Sequence, residues 1–151
     1  MSVLARRRAV TALASALVLA TGILTGPAAQ AAQSAPAAQC RTTNGFPPKG
    51  GTNTGGTPPR YKFSNSPYIG AIYDSCDNVI KLYFGGYSAN LTHYIVRMQW
   101  DTTDWQDIRM APGPRRMWTV EAPGRDYNFL VQACNGSACT RFSPQLYVNA
   151  R

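Results

Sequence analysis

From residue 78 onward, apolar and polar residues alternate. "NVIKLYF" (78–84) sets Ile80, Leu82 and Phe84 on one face and Val79, Lys81 and Tyr83 on the other. "THYIVRMQW" (92–100) sets Tyr94, Val96, Met98 and Trp100 against His93, Ile95, Arg97 and Gln99. "RRMWTVEA" offers Trp118, Val120 and Ala122, and "YNFLVQA" offers Tyr127, Phe129, Val131 and Ala133. "TRFSPQLYV" closes the series, with Phe142 as its inward residue. A period of two is the signature of a strand with one face buried. Gly85-Gly86, "DTTD", "APGP" and "APGRD" break the runs where turns are needed. No helical period appears after residue 32. Several short strands at this spacing predict an all-β protein, an antiparallel immunoglobulin-like β-sandwich.

The first 65 residues read differently. Arg6, Arg7 and Arg8 precede an Ala/Leu/Val-rich run from Ala9 to Leu24, and Ala29-Gln30-Ala31 follows. A positive start, a short apolar run and a small-x-small site predict a secretory signal peptide over 1–31. The run is shorter than the roughly 20 apolar residues of a membrane-spanning helix. Residues 32–65 contain "RTTNGFPPKGGTNTGGTPPR", rich in Gly, Pro and Thr and without a hydrophobic period. Such composition buries too little apolar surface to offset ordering entropy, so a flexible arm is expected there. The folded domain is expected over 66–151.

Charge and cysteines narrow the class. Removing residues 1–31 takes three arginines, so the formal charge falls from +8 to +5. The remaining chain is mildly basic and carries no block of like charge. All four cysteines, Cys40, Cys76, Cys134 and Cys139, lie after the cleavage site. An even count in an exported chain reads as disulfides. C-x4-C with one distant His93 and no second C-x2-C is a poor match to a zinc site.

The last third also resembles a known family. "APGRDYNFLVQACNGSACTRFSP" is similar to the end of a fibronectin type III domain. Pro123, Gly124 and Tyr127 match its corner, and Phe129, Val131 and Ala133 match the strand that follows. Thr140, Phe142 and Ser143 stand at its Ser-aromatic-Ser position. Ala133 to Cys139 matches a cysteine-bearing loop of bacterial members. Upstream, Tyr94 and Val96 match the Tyr-x-Val of its third strand, and "DTTDW" its hairpin turn plus Trp. The resemblance spans about residues 66–149. It departs at the second strand, which has Tyr83 and Phe84 but no Trp, and at Ala122, where a Leu is expected.

On that arrangement Cys134 ends one strand and Cys139 begins the next. Neighbouring antiparallel strands bring such residues to about 5 Å, within disulfide reach. Asn135-Gly136 suits the tight turn between them. Cys40 and Cys76 then form the second bond by elimination. The chain-entropy estimate assigns roughly 2 kcal/mol to the short loop and roughly 4 kcal/mol to the long one.

Chemistry is sparse. The period-two reading turns His93 outward. No G-x-S-x-G, phosphate-binding glycine loop or H-E-x-x-H is present. Asp101, Asp104 and Asp107 lie in and beside a turn, where carboxylates are ordinarily solvated. No catalytic residue, metal or cofactor is expected. Trp105, with Arg97 and Arg109 around one hairpin, is the candidate binding site, an aromatic beside cationic donors. These features lead us to expect a secreted, monomeric, non-catalytic binding or adhesion module. The expected ligand is an extracellular polysaccharide or anionic wall polymer, with no nucleic-acid partner and no membrane partner after cleavage. The alternative is a small secreted protease inhibitor that presents its disulfide-capped loop to another secreted protein.

Overall fold

A computed structural model describes residues 39–87 and 90–151. The expected signal peptide, its cleavage site and the start of the arm lie outside the described residues. The described chain contains eleven strands and no helix. They are β1 (Thr42–Asn44), β2 (Thr52–Gly55), β3 (Arg60–Lys62), β4 (Tyr68–Asp74), β5 (Val79–Gly85) and β6 (His93–Trp100). Then follow β7 (Gln106–Met110), β8 (Arg115–Glu121), β9 (Asp126–Asn135), β10 (Ala138–Cys139) and β11 (Leu146–Asn149).

These strands form two antiparallel sheets. Sheet A has the order β2-β3-β4-β5-β8, with β1 also on β4. Sheet B has the order β10-β9-β6-β7, with β11 also on β9. The core-facing sets of β5, β6 and β9 are those that the period of two selects. Ile80, Leu82, Phe84, Tyr94, Val96, Phe129 and Val131 are fully buried. Phe84 of sheet A meets Tyr94 of sheet B edge-on, with centroids 5.2 Å apart, an arrangement aromatic quadrupoles favour. The buried Tyr94 hydroxyl donates to the Gly113 carbonyl at 2.8 Å. Burial pushes its pKa above the usual tyrosine range.

At the 122–125 corner, the Tyr127 hydroxyl donates to the Glu121 carbonyl six residues upstream, at 3.2 Å. This bond ties the start of β9 to the end of β8, so the chain changes sheets at a fixed angle. Cys134 pairs with Cys139 directly across the β9–β10 hairpin, and Cys40 pairs with Cys76. The Cα separations are 4.0 Å and 5.2 Å. Gly136 takes a φ of 59° in the hairpin turn, a region where a side chain is strained.

Three expectations change. Residues 41–65 are not a free arm. β1 pairs with β4 from Thr42↔Asp74 to Asn44↔Ile72, and β3 pairs with β4 at Tyr61↔Ile69. Phe46 then crosses to sheet B and bridges Tyr147. Edge strands are held by backbone hydrogen bonds and need no hydrophobic period, and the Cys40–Cys76 bond anchors their start. Gly45 permits the crossing, because a Cβ there would lie 2.9 Å from Leu146 Cδ2 and 3.0 Å from Val148 Cγ2. The boundary expected at 65/66 therefore falls inside sheet A.

His93 keeps the outward parity of Ile95, Arg97 and Gln99 but is buried rather than exposed. It pairs with Cys134 across the sheet, beside the β9–β10 hairpin. Phe142 is half-buried on the outer side of sheet B, and Leu146 and Val148 take the inward places. Strand β11 begins only at Leu146, so alternation counted from Phe142 has no ladder to sustain it.

Candidate functional site

The outer face of sheet B carries the residues singled out in the sequence. Alternation sends Asp107 and Arg109 outward on β7, and Trp105 immediately before that strand shares their parity. On β6 the outward residues are Ile95, Arg97 and Gln99, and on β9 they are Asn128, Leu130 and Gln132. The register aligns them in rows. Arg97 faces Asp107 on one side and Leu130 on the other, and Ile95 faces Arg109 and Gln132. The β6–β7 ladder ends at Met98↔Gln106, and Trp105 stands one residue beyond it, at the same end of the face as Gln99. Gln99 faces Asn128, which faces Tyr147, which bridges Phe46.

That last row is the distinctive one. Trp105 is 37% exposed at one side, and Phe46 is 50% exposed at the other. Phe46 packs edge-on against Tyr147, centroids 5.4 Å apart. Amides lie between the aromatic ends. Gln99 Nε2 donates to the Thr103 carbonyl at 2.7 Å, and Gln145 Nε2 donates to Asn128 Oδ1 at 2.8 Å. Three strand spacings separate β7 from β11, about 14 Å. The row is thus a shallow platform, aromatic at its ends and hydrogen-bonding along its middle.

The cations differ from expectation. Arg97 is not a free donor. Its Nε and Nη2 donate to the two carboxylate oxygens of Asp107 at 2.7 Å and 2.8 Å, and its guanidinium lies 4.8 Å over the Phe142 ring. The hydrogen bond from Arg97 holds the Asp107 carboxyl below its usual range and raises the arginine. Both side chains face water, so the pair contributes at most about 1 kcal/mol. Arg109 is exposed and joins no ion pair among the described residues. Its charge acts on His93, whose pKa is lowered first by burial and then by this cation.

His93 has a structural setting. The Thr92 hydroxyl donates to the Cys134 carbonyl at 3.0 Å and accepts from Gly136 N–H at 2.9 Å. Its oxygen lies 2.9 Å from His93 Nδ1. With the hydroxyl proton given to Cys134, a neutral imidazole donates from Nδ1. Histidine, threonine and the disulfide hairpin form one braced unit.

The three aspartates are not brought together. Asp101 accepts from the Asp126 N–H and from Arg151, each at 3.1 Å, while Asp107 is bound to Arg97. Among the described residues, no group of three or more His, Cys, Asp or Glu could hold a metal ion. No helix among them is long and apolar enough to cross a membrane.

Phe46 and Tyr147 escaped the sequence reading. Phe46 sits inside the Gly/Pro/Thr-rich stretch, where composition masks one aromatic. The parity of Tyr147, between Leu146 and Val148, was the available signal. No family model matches the chain, and no curated protein or solved structure matches it at a significant level.

Proposed function

We propose that this is a secreted, non-catalytic binding module of the fibronectin type III kind that holds an extracellular polysaccharide on the outer face of sheet B. The observation that carries the reading is the row from Trp105 through Gln99 and Asn128 to Tyr147 and Phe46. Aromatic faces offer apolar area to the C–H faces of sugar rings, and side-chain amides match sugar hydroxyls in both donor and acceptor character. The family assignment draws support from the Tyr127 hydroxyl bond across the 122–125 corner and from the crossing of successive strands between the two sheets. Export draws support from the two disulfides, which persist in oxidising compartments.

The test is retention on insoluble cellulose or chitin. Trp105→Ala should abolish retention and leave the unfolding midpoint unchanged. Loss of folding in that variant would make Trp105 a packing residue and remove the proposal. A second reading rests on the hairpin tip. Asn135, Gly136, Ser137 and Ala138 are all exposed, closed by a disulfide and braced by Thr92. Rigid exposed loops suit protease inhibition because little entropy is lost on docking. Inhibition of secreted serine proteases at micromolar concentration or below, with loss on Ser137→Pro, would favour it.

A further inference from the structure

The opposite face of the sandwich has a different chemistry. The chain's seven carboxylates sit in the β4–β5, β6–β7 and β8–β9 turns or within two residues of them. All three turns stand at one end of the molecule, because Val79 pairs with Glu121 and Trp100 with Tyr127. The outer face of sheet A runs from that end toward one without acids. Its end row is Tyr68–Gly85–Arg115, with the Arg60 guanidinium 5.1 Å over the Tyr68 ring. The next row contains Tyr83 beside Met117, and the third contains Lys81. Met117 is 52% exposed, and Arg115 is also exposed. Among the described residues Arg60, Lys81 and Arg115 form no ion pair, and Arg60 Nε is enclosed without a partner.

We propose that this face is a second binding site, for a linear acidic polysaccharide whose sugar rings carry carboxylates. Rows are two residues apart along the strands, about 7 Å. A cationic row, an apolar row and a second cation therefore follow one another at near-ring spacing. A sugar ring over Tyr83 and Met117 places its own or its neighbours' carboxylates toward Arg115 on one side and Lys81 on the other. The planar guanidinium fork of Arg115 matches a carboxylate with two hydrogen bonds. A neutral glycan would leave both cations without a partner. A single-stranded nucleic acid would need free aromatic faces for its bases, and Arg60 already covers one face of Tyr68. The site lies on the other sheet from the sheet B platform, where Arg97 is neutralised by Asp107 and Arg109 is an isolated exposed cation.

The experiment measures binding of the purified chain to immobilised polygalacturonate, its methyl ester and single-stranded DNA. Polygalacturonate should bind, and methyl esterification should weaken binding at least tenfold. Raising the salt from 50 mM to 500 mM should also weaken it, since exposed charges are screened. Arg115→Gln with Lys81→Gln should weaken it about tenfold or more, without a change in the unfolding midpoint. Met117→Ser should weaken it a few-fold. Trp105→Ala should leave this binding unchanged, which separates its outcome from that of the cellulose and chitin test. Equal binding of the methyl ester, tighter binding of DNA, or an Arg115/Lys81 double variant that binds as the parent does would each overturn the proposal.

Discussion

The two outer faces of this sandwich use the same side chains in opposite ways. On sheet B the arginine at the centre of the face is bound to Asp107 and stacked on Phe142, so that face presents aromatic rings and amides, with Arg109 as an exposed cation one row away. On sheet A, Arg60 stacks on Tyr68 and Arg115 stays exposed, with no acid in reach. A cation contributes binding specificity only where the fold leaves it unneutralised. Both faces run from the acidic end, and the immediate neighbours of each cation set whether it is paired: Asp107 binds Arg97, while Arg60, Lys81, Arg109 and Arg115 join no ion pair among the described residues. Sequence composition reports the charge of the chain and not this partition.

The largest effect should erase the contrast. Phe84→Ala removes a fully buried ring that joins the sheets through Tyr94. It should cost about 3–5 kcal/mol in urea unfolding, and both faces should lose their ligands together. Loss of one face alone would mean that the sheets are independently stable.

The disulfides should separate the faces. Cys40→Ser with Cys76→Ser opens the longer loop and should cost roughly 4 kcal/mol on the chain-entropy estimate. It also frees β1 and Phe46, so cellulose or chitin binding should fall more than polygalacturonate binding. Cys134→Ser with Cys139→Ser should cost roughly 2 kcal/mol and leave both ligands bound. Calorimetry and binding on the same samples decide between them.

Asp107→Asn should sharpen the contrast by removing it. The ion pair contributes at most about 1 kcal/mol, so stability should hardly move. Arg97 becomes an unpaired cation, and sheet B should gain weak, salt-sensitive affinity for polygalacturonate. In the parent, Asp107 has a depressed pKa. The pair's contribution is therefore complete above the ordinary carboxylate range and is lost as pH falls through the depressed value. His93 acts at milder acidity. Its folded pKa is below 6.5, so the unfolded chain binds the proton first and stability declines as pH falls below that value. His93→Gln should flatten this slope in melting curves between pH 7 and 5, with neither face altered.

Much of this was legible in the alternation. The runs at 78–84, 92–100, 115–122 and 127–133 gave their inward sets directly, because a buried face leaves a period of two in the strand that carries it, while β7 (Gln106–Met110) was not picked out. The hairpin cysteines were legible from turn chemistry. Residues 41–65 were not, because β1 and β3 are held by backbone pairing to β4 and by a covalent tether, neither of which leaves a hydrophobic pattern. His93 was read as exposed because alternation gives the face of a sheet but not what the next hairpin sets beside it. Trp105 could be read as exposed beside a turn. The Arg97–Asp107 pair could not, since it depends on the register of two strands joined by a turn of uncertain length.

The most direct test of a polysaccharide platform on sheet B is backbone and indole chemical-shift mapping during titration with a soluble β-1,4-linked glucan hexasaccharide. Shifts should concentrate at the Trp105 indole, Gln99, Asn128, Tyr147 and Phe46, with Met117 and Arg115 unmoved. Shifts confined to the β9–β10 hairpin or to sheet A, or no shifts at millimolar ligand, would contradict it.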